Sequence, residues 1–95
     1  MRVTYDGCKR ASTLAERGLD FEDATHVFAG PHWTAEDRRF AHGETRLQTV
    51  GFLAERLVIV VWTPRDDACH VISMRKCNER EQKAYRERFA KGRRS

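Results

Sequence analysis

Two cations, Arg75 and Lys76, close the apolar run Val71-Ile72-Ser73-Met74 and stand just before Asn78-Glu79-Arg80-Glu81. The run reads as the end of a buried strand. Asn78 reads as the N-cap of a helix, and Glu81 sits where a carboxylate reaches back to the cap amide. Two positive side chains are thereby expected on a sheet edge beside the positive end of a helix. That arrangement suits a phosphate: Arg holds two of its oxygens at once, and Lys acts as a point charge. The competing reading is a salt bridge from Arg75 to Glu79 or Asp37.

Further residues bear on the same chemistry. Arg46 and Arg56 each open one strand of an expected hairpin, where they either extend the cationic patch or are solvated strand ends. Lys9, Arg10 and Arg17 share one expected helix, and Arg10 and Arg17 share a face. Tyr85, one turn beyond Glu81, either meets a ligand or packs the helix on the sheet. Trp33 either stacks an unpaired base or anchors an interface. Glu79 is the freer carboxylate, because Glu81 is the expected cap partner. A carboxylate base needs a raised pKa, and nearby arginines push the other way. His32, His42 and His70 are candidate proton carriers, since only imidazole titrates near neutrality unshifted. His26 reads as a surface residue. Cys69, His70 and Cys77 are the nearest approach to a metal set. Cys69 and His70 alternate across a strand, however, Cys77 lies a strand length away, and no Cys-x-x-Cys occurs, so no metal or cofactor is expected.

These residues need a framework, and the totals bound it. Ninety-five residues with 40% hydrophobic content support one small domain, taken as residues 1–90, followed by a basic, disordered tail at 91–95. The mean hydropathy of −0.71 describes a wet, charged surface. From Lys76 onward eight Lys and Arg stand against three Glu, while the first 75 residues hold ten against eleven acids, so the excess charge belongs to the last fifth of the chain. A local basic face points to a polyanion or an acidic partner, or to a solvated helix face. The odd count of three cysteines and the lack of an apolar leader or membrane-length run point to free thiols in the cytoplasm.

Periodicity places the elements. Val3 and Tyr5 suggest a short edge strand. Ala11, Leu14, Ala15 and Gly18 form a helical stripe that ends at Gly18. Asp20 caps a second helix carrying Phe21, Ala24, Val27 and Phe28, which Gly30-Pro31 ends, so a compact N-terminal helical hairpin is expected. Residues 32–43 read as a loop or irregular edge strand. Residues 46–53, 56–63 and 68–76 read as an antiparallel meander, joined at Ala54-Glu55 and at Pro64-Arg65-Asp66-Asp67. Leu57 to Trp62 is unbroken by any polar residue, which marks a central strand covered on both sides. Asn78 to about Ala90 is a last helix with a thin stripe of Ala84, Tyr85 and Phe89. The fold class is thus α+β, with a three- to four-stranded antiparallel sheet and a C-terminal helix.

An ordered set of segments resembles the BrnT toxins of type II toxin–antitoxin pairs, over roughly Tyr5 to Tyr85. The segments are Arg17-Gly18-Leu19-Asp20-Phe21-Glu22-Asp23-Ala24, Arg46 with Gly51, the strand from Arg56 to Thr63, Ile72-Ser73-Met74-Arg75-Lys76, and Glu79-Arg80-Glu81 with Tyr85. The resemblance implies a RelE/ParE-like fold and a metal-independent endoribonuclease that blocks translation. It further implies a BrnA-like antitoxin of ribbon–helix–helix type in a hetero-oligomer, and contact with operator DNA only through that antitoxin. On this reading Arg46, Arg75, Lys76 and Glu79 carry the catalysis, and Lys9, Arg17, Arg56 and Tyr85 hold the RNA. Glu16-Arg17-Gly18 departs from the Lys-His-Gly common in the family, and a guanidinium cannot serve as a base there at neutral pH. Ser12 or Thr13 stands where an asparagine is common, and Met74 where alanine is usual. Two alternatives use the same fold without catalysis: a ParE-like topoisomerase poison, and a partner that mainly strengthens antitoxin–operator binding.

Overall fold

A computed structural model describes residues 2–38 and 43–92, with the side chains of 91 and 92 left aside. The elements are β1 (Arg2–Tyr5), α1 (Gly7–Arg17), a 3-10 turn (Phe21–Asp23), α2 (Ala24–Ala29), β2 (His32–Glu36), β3 (Leu47–Leu53), β4 (Arg56–Arg65), β5 (Ala68–Lys76) and α3 (Glu79–Gly92). The chain is α+β. The five strands form one sheet in the order β1-β5-β4-β3-β2. β2 to β5 are an antiparallel meander, which returns to lie beside β1, and β1 pairs with β5 in parallel.

Two expectations are corrected here. The sheet is mixed and five-stranded, because β1 and β2 both join it, and residues 32–36 form a regular edge strand. The chain also does not open on a helical hairpin. β1 comes first, and α1 lies against β5 with none of its own residues buried. The stripe of Ala11, Leu14 and Ala15 therefore stays in solvent, with Leu14 44% exposed. The stop at Gly18 is as the spacing requires: its φ is 67°, and its N–H bonds the Leu14 carbonyl. Asp20 caps the 3-10 turn that leads into α2 by accepting from the Glu22 amide.

β4 is the spine of the sheet. Its alternate residues feed two separate clusters. Val58 and Val60 point to the α2 side with Phe21, Ala24, Val27, Val71 and Met74. Leu57 and Ile59 point to the α3 side with Val50 and Cys77, and Tyr85 and Phe89 of α3 close over them. Ala84, expected in that stripe, is exposed. β4 runs through Pro64 and Arg65, so the turn that follows is only Asp66-Asp67, with Asp66 at φ 54°. Ala54 and Glu55 turn the other hairpin at φ 50° and 69°, the sense that matches strand twist.

Gly51 faces the α2 side, where the helix passes close. A Cβ there would lie 2.7 Å from Val27 Cγ1 and 3.2 Å from both His32 Cβ and the Pro31 carbonyl oxygen. Gly51→Ala is expected to lower stability by about 1–3 kcal/mol through overpacking, as measured by urea unfolding. An unchanged midpoint would mean that α2 sits further from the sheet.

Candidate functional site

One irregularity in β5 decides which side chains meet. Val61 pairs with Ser73, yet the next residue, Trp62, pairs with Val71, so Ile72 is a bulge. Before the bulge, His70 faces the α3 side and Val71 the α2 side. After it, Ser73 and Arg75 face the α3 side, and Met74 and Lys76 the α2 side. Were Ile72 paired in regular alternation, Arg75 would share the face of Val71.

The α3 side then reads as a set of rows across the strands. Cys77, Leu57 and Phe52 form one, and Arg75, Ile59, Val50 and Trp33 the next. α3 packs on these two. Beyond it lie Ser73, Val61, Gln48 and Ala35, and then Thr4, His70 and Thr63, with Arg46 next to Thr63 at the start of β3. No helix covers these outer rows among the described residues. They form a floor bordered by cations and polar apart from Ala35 and Val61, the latter at the edge of the α3-side cluster; Thr63 is buried, Ala35 exposed and the rest half-buried. A sheet has apolar rows only where something packs on them, so the polar rows mark where α3 stops.

Arg75 sits where α3 begins. Its Nη1 and Nη2 donate to the two Glu81 carboxylate oxygens, each at 2.8 Å. The same Glu81 accepts from the Asn78 amide at 3.0 Å, and Asn78 Oδ1 accepts from the Glu81 amide at 2.8 Å. The capping box is thus present as the spacing predicts, and one carboxylate serves both the box and Arg75. The Arg75 guanidinium, then the Asn78 amide, hold the Glu81 carboxyl down at about 2, against the cost of its partial burial. Arg75 is held above its ordinary value by the same bond. Its salt bridge is therefore to Glu81, in place of the expected Glu79 or Asp37.

The other candidate residues are spread more widely than their order in the chain implies. Arg46 lies on the same face as Arg75, but four residues away along the strands, about 13 Å, and two strand spacings across, about 10 Å. Its Nε is enclosed without a hydrogen bond. Lys76 is exposed and points to the α2 side, so the expected Arg75–Lys76 pair is split by strand alternation. Glu79 is exposed in the first turn of α3. Arg56 is at the opposite end of the β3–β4 hairpin from Arg46, beside Glu55, Gln82 and Arg86. Tyr85 packs against the α3-side cluster. Trp33 lies at the far edge, with the Arg88 guanidinium stacked 3.6 Å from its ring centroid. Lys9 and Arg17 line one cleft between α1 and β5 with Thr13 and Ser73, and Arg17 Nη1 donates to the Met74 carbonyl at 2.8 Å. Arg10, seven residues before Arg17 on α1, donates to both Asp20 carboxylate oxygens at 2.8 and 2.9 Å.

Among the described residues, His70 is the histidine that reaches the open rows. Its Nδ1 is 2.8 Å from Thr4 Oγ1 on β1. Burial, then the Arg65 guanidinium, lower its pKa below the ordinary 6.5. His26 is on α2, and the His32 ring is engaged with the Gly30 carbonyl on the other side of the sheet. His42 lies outside the described residues. All three cysteines are free, with Cys69 and Cys77 buried and their thiols pushed up to about 11 by burial. No group of three or more His, Cys, Asp or Glu side chains is placed to hold a metal ion among the described residues. No helix is long and apolar enough to cross a membrane among them.

A sheet face fringed by arginine and lysine, with the half-buried His70 imidazole among its described residues, fits a nucleic-acid substrate. Comparison with known proteins bears on this directly: the family model described as the ribonuclease toxin, BrnT, of type II toxin–antitoxin systems matches residues 5–81. The chain belongs to the BrnT family. No curated protein matches it. Family membership makes the chain a ribonuclease toxin with an antitoxin as partner. The matched span runs from the last residue of β1 through β5 to the capping box of α3, and so includes the open rows except Thr4.

The Arg75–Glu81 bond has a pH signature. The Glu81 carboxyl titrates at about 2 in the folded chain and near about 4.3 when unfolded. Its stabilising contribution is therefore complete above about pH 5 and is lost as pH falls toward 2. Glu81→Gln is expected to cost about 1 kcal/mol at pH 7, and the gap to the unsubstituted protein should narrow from about pH 5 downward and close only below about pH 2 in urea titrations. A gap that persists unchanged in acid would show that the charge of Glu81 contributes nothing.

Proposed function

We propose that the ribonuclease activity is endonucleolytic and metal-independent, and that it takes place on the open half of the α3 side of the sheet. The single observation that carries this reading is the change along β3, β4 and β5 from apolar rows under α3 to polar rows beyond it, bordered by Arg46 and Arg75. RNA can cleave itself when its 2′-hydroxyl attacks the adjacent phosphorus. The protein must then take a proton, stabilise added charge on the phosphorane and supply a proton to the leaving oxygen.

In this reading Arg75 supplies positive charge that favours the phosphorane from the α3 end of the open rows. Glu81 uses two of its five N–H donors and fixes the guanidinium plane, so the remaining donors are preorganised. Arg46 is too far from Arg75 to share a phosphate and holds a neighbouring one on the strand. Lys9 and Arg17 border the same path from α1. Lys76, Glu79 and Arg56 stand outside the path, and Tyr85 supports α3 beneath it. Cleavage of cellular RNA by such a toxin inhibits translation in the cytoplasm. A BrnA-like ribbon–helix–helix antitoxin neutralises it, and operator DNA is contacted through that antitoxin alone.

Purified protein is expected to cleave RNA in the presence of EDTA. Arg75→Ala should lower the rate by about 100-fold with the fold retained, and Lys76→Ala, on the opposite face, should leave it within about twofold. RNA-end mapping after induction checks both. Equal loss in the two variants would move the site to the sheet edge. Intact RNA with the unsubstituted protein would favour a toxin that acts by contact, through a topoisomerase or the antitoxin–operator complex.

A further inference from the structure

We propose that His70 is the base of the cleavage step and that Thr4 is the residue that positions it. The proposal rests on the reading that RNA occupies the open rows. Three observations place it there. His70 is half-buried in the outermost row, between Thr4 on β1 and Thr63 on β4, and no helix covers it among the described residues. Its Nδ1 is already engaged by Thr4 Oγ1 at 2.8 Å, so one ring nitrogen is fixed and Nε2 is the one left for a substrate. His26 and His32 are on the other side of the sheet.

The charged groups around the ring favour its neutral form. Arg65 from β4 and Lys9 from α1 disfavour the imidazolium, and Glu44 before β3 and Asp6 at the α1 N-cap favour it. Glu44 is partly neutralised by Arg65 at 3.4 Å. Burial adds to the first set, so the ring is neutral and able to accept a proton at pH 7.

With Nδ1–H donating to Thr4 Oγ1, the Nε2 lone pair accepts the proton of the substrate 2′-hydroxyl. The O2′ electron pair forms the new bond to phosphorus. The P–O5′ bond breaks, its pair goes to O5′, and that oxygen takes a proton from solvent. The products are a 2′,3′-cyclic phosphate and a 5′-hydroxyl, and the imidazolium then returns its proton to solvent. No water or metal is consumed, and the step balances as a transesterification. The inference also accounts for Arg17 standing before Gly18: a guanidinium there has no base role to fill if the imidazole comes from β5.

The test is single-turnover cleavage of a short RNA from pH 4.5 to 9, run in EDTA with the unsubstituted protein, His70→Gln and Thr4→Val. Binding of the 2′-O-methyl form of the same RNA is measured in parallel. The rate of the unsubstituted protein should rise through a midpoint below 6.5 and level off above it. His70→Gln should lose about 100-fold or more at pH 7, with affinity for the uncleavable RNA within about threefold, and the inflection should vanish. Thr4→Val should lower the plateau and move the midpoint down, because the hydroxyl stabilises the charged ring more than the neutral one. The His70 ring titration in the unsubstituted protein, followed by NMR, must share the kinetic midpoint, which decides the matter even if His70→Gln does not fold. Cleavage by His70→Gln at the unsubstituted rate, or a loss that lies wholly in RNA affinity, overturns the role of His70 and leaves the nuclease reading standing. No cleavage by the unsubstituted protein overturns both.

Discussion

The structure depends on one carboxylate at the joint between β5 and α3. Glu81 closes the capping box with Asn78 and holds Arg75 with both oxygens. The first bond fixes where the helix starts, and the second fixes that start to the sheet. A helix of 14 residues with few apolar side chains has little stability alone. Held at this joint, it lays Tyr85 and Phe89 on Leu57 and Ile59 and goes no further across the face. The extent of open sheet is therefore set by where Glu81 pins the helix. The same bond commits Arg75, so its guanidinium is paired with Glu81 and fixed in plane.

The bulge at Ile72 supplies the second constraint. It moves Ser73 and Arg75 to the face of His70 and lets Met74 follow Val71 into the α2-side core. Beyond Tyr5, β1 no longer covers the outer edge of β5, and Arg17 bonds the Met74 carbonyl there. α1 is thus an edge cover with an exposed body, held to the β5 backbone by Arg17 and to Asp20 by Arg10. Gly51 does comparable work on the other face, where α2 comes too close to the sheet for a side chain.

Much of this was legible in the residues. The unbroken run from Leu57 to Trp62 marks the central strand, Gly18 and Asp20 mark the break between helices, and Asn78 with Glu81 marks the start of α3, because each signal is local. The resemblance in the ordered segments led to the family that the comparison shows. Long-range facts were not legible. Nothing in Val3 or Tyr5 says that β1 returns to pair in parallel with β5, or that His32 to Glu36 makes a fifth strand with every residue exposed. The stripe on α1 has the right spacing for burial, but burial needs a partner surface, and β5 offers only its edge. The site suffered most from the bulge: alternation counted through residue 72 puts Arg75 on the wrong face, and adjacent letters made Arg75 and Lys76 look like a pair. His70 was visible only as one histidine among several, since its distinction comes from Thr4, a neighbour 66 residues away.

In the function proposed, RNA lies across the polar rows of the α3 side. Backbone amide NMR during titration with a 2′-O-methyl oligonucleotide tests this without requiring cleavage. The predicted shifts cluster at Arg46, Gln48, Val61, Thr63, His70, Ser73 and Arg75, and α2 stays unchanged. Shifts confined to α2 and the strand residues beneath it, with the outer rows silent, would contradict it.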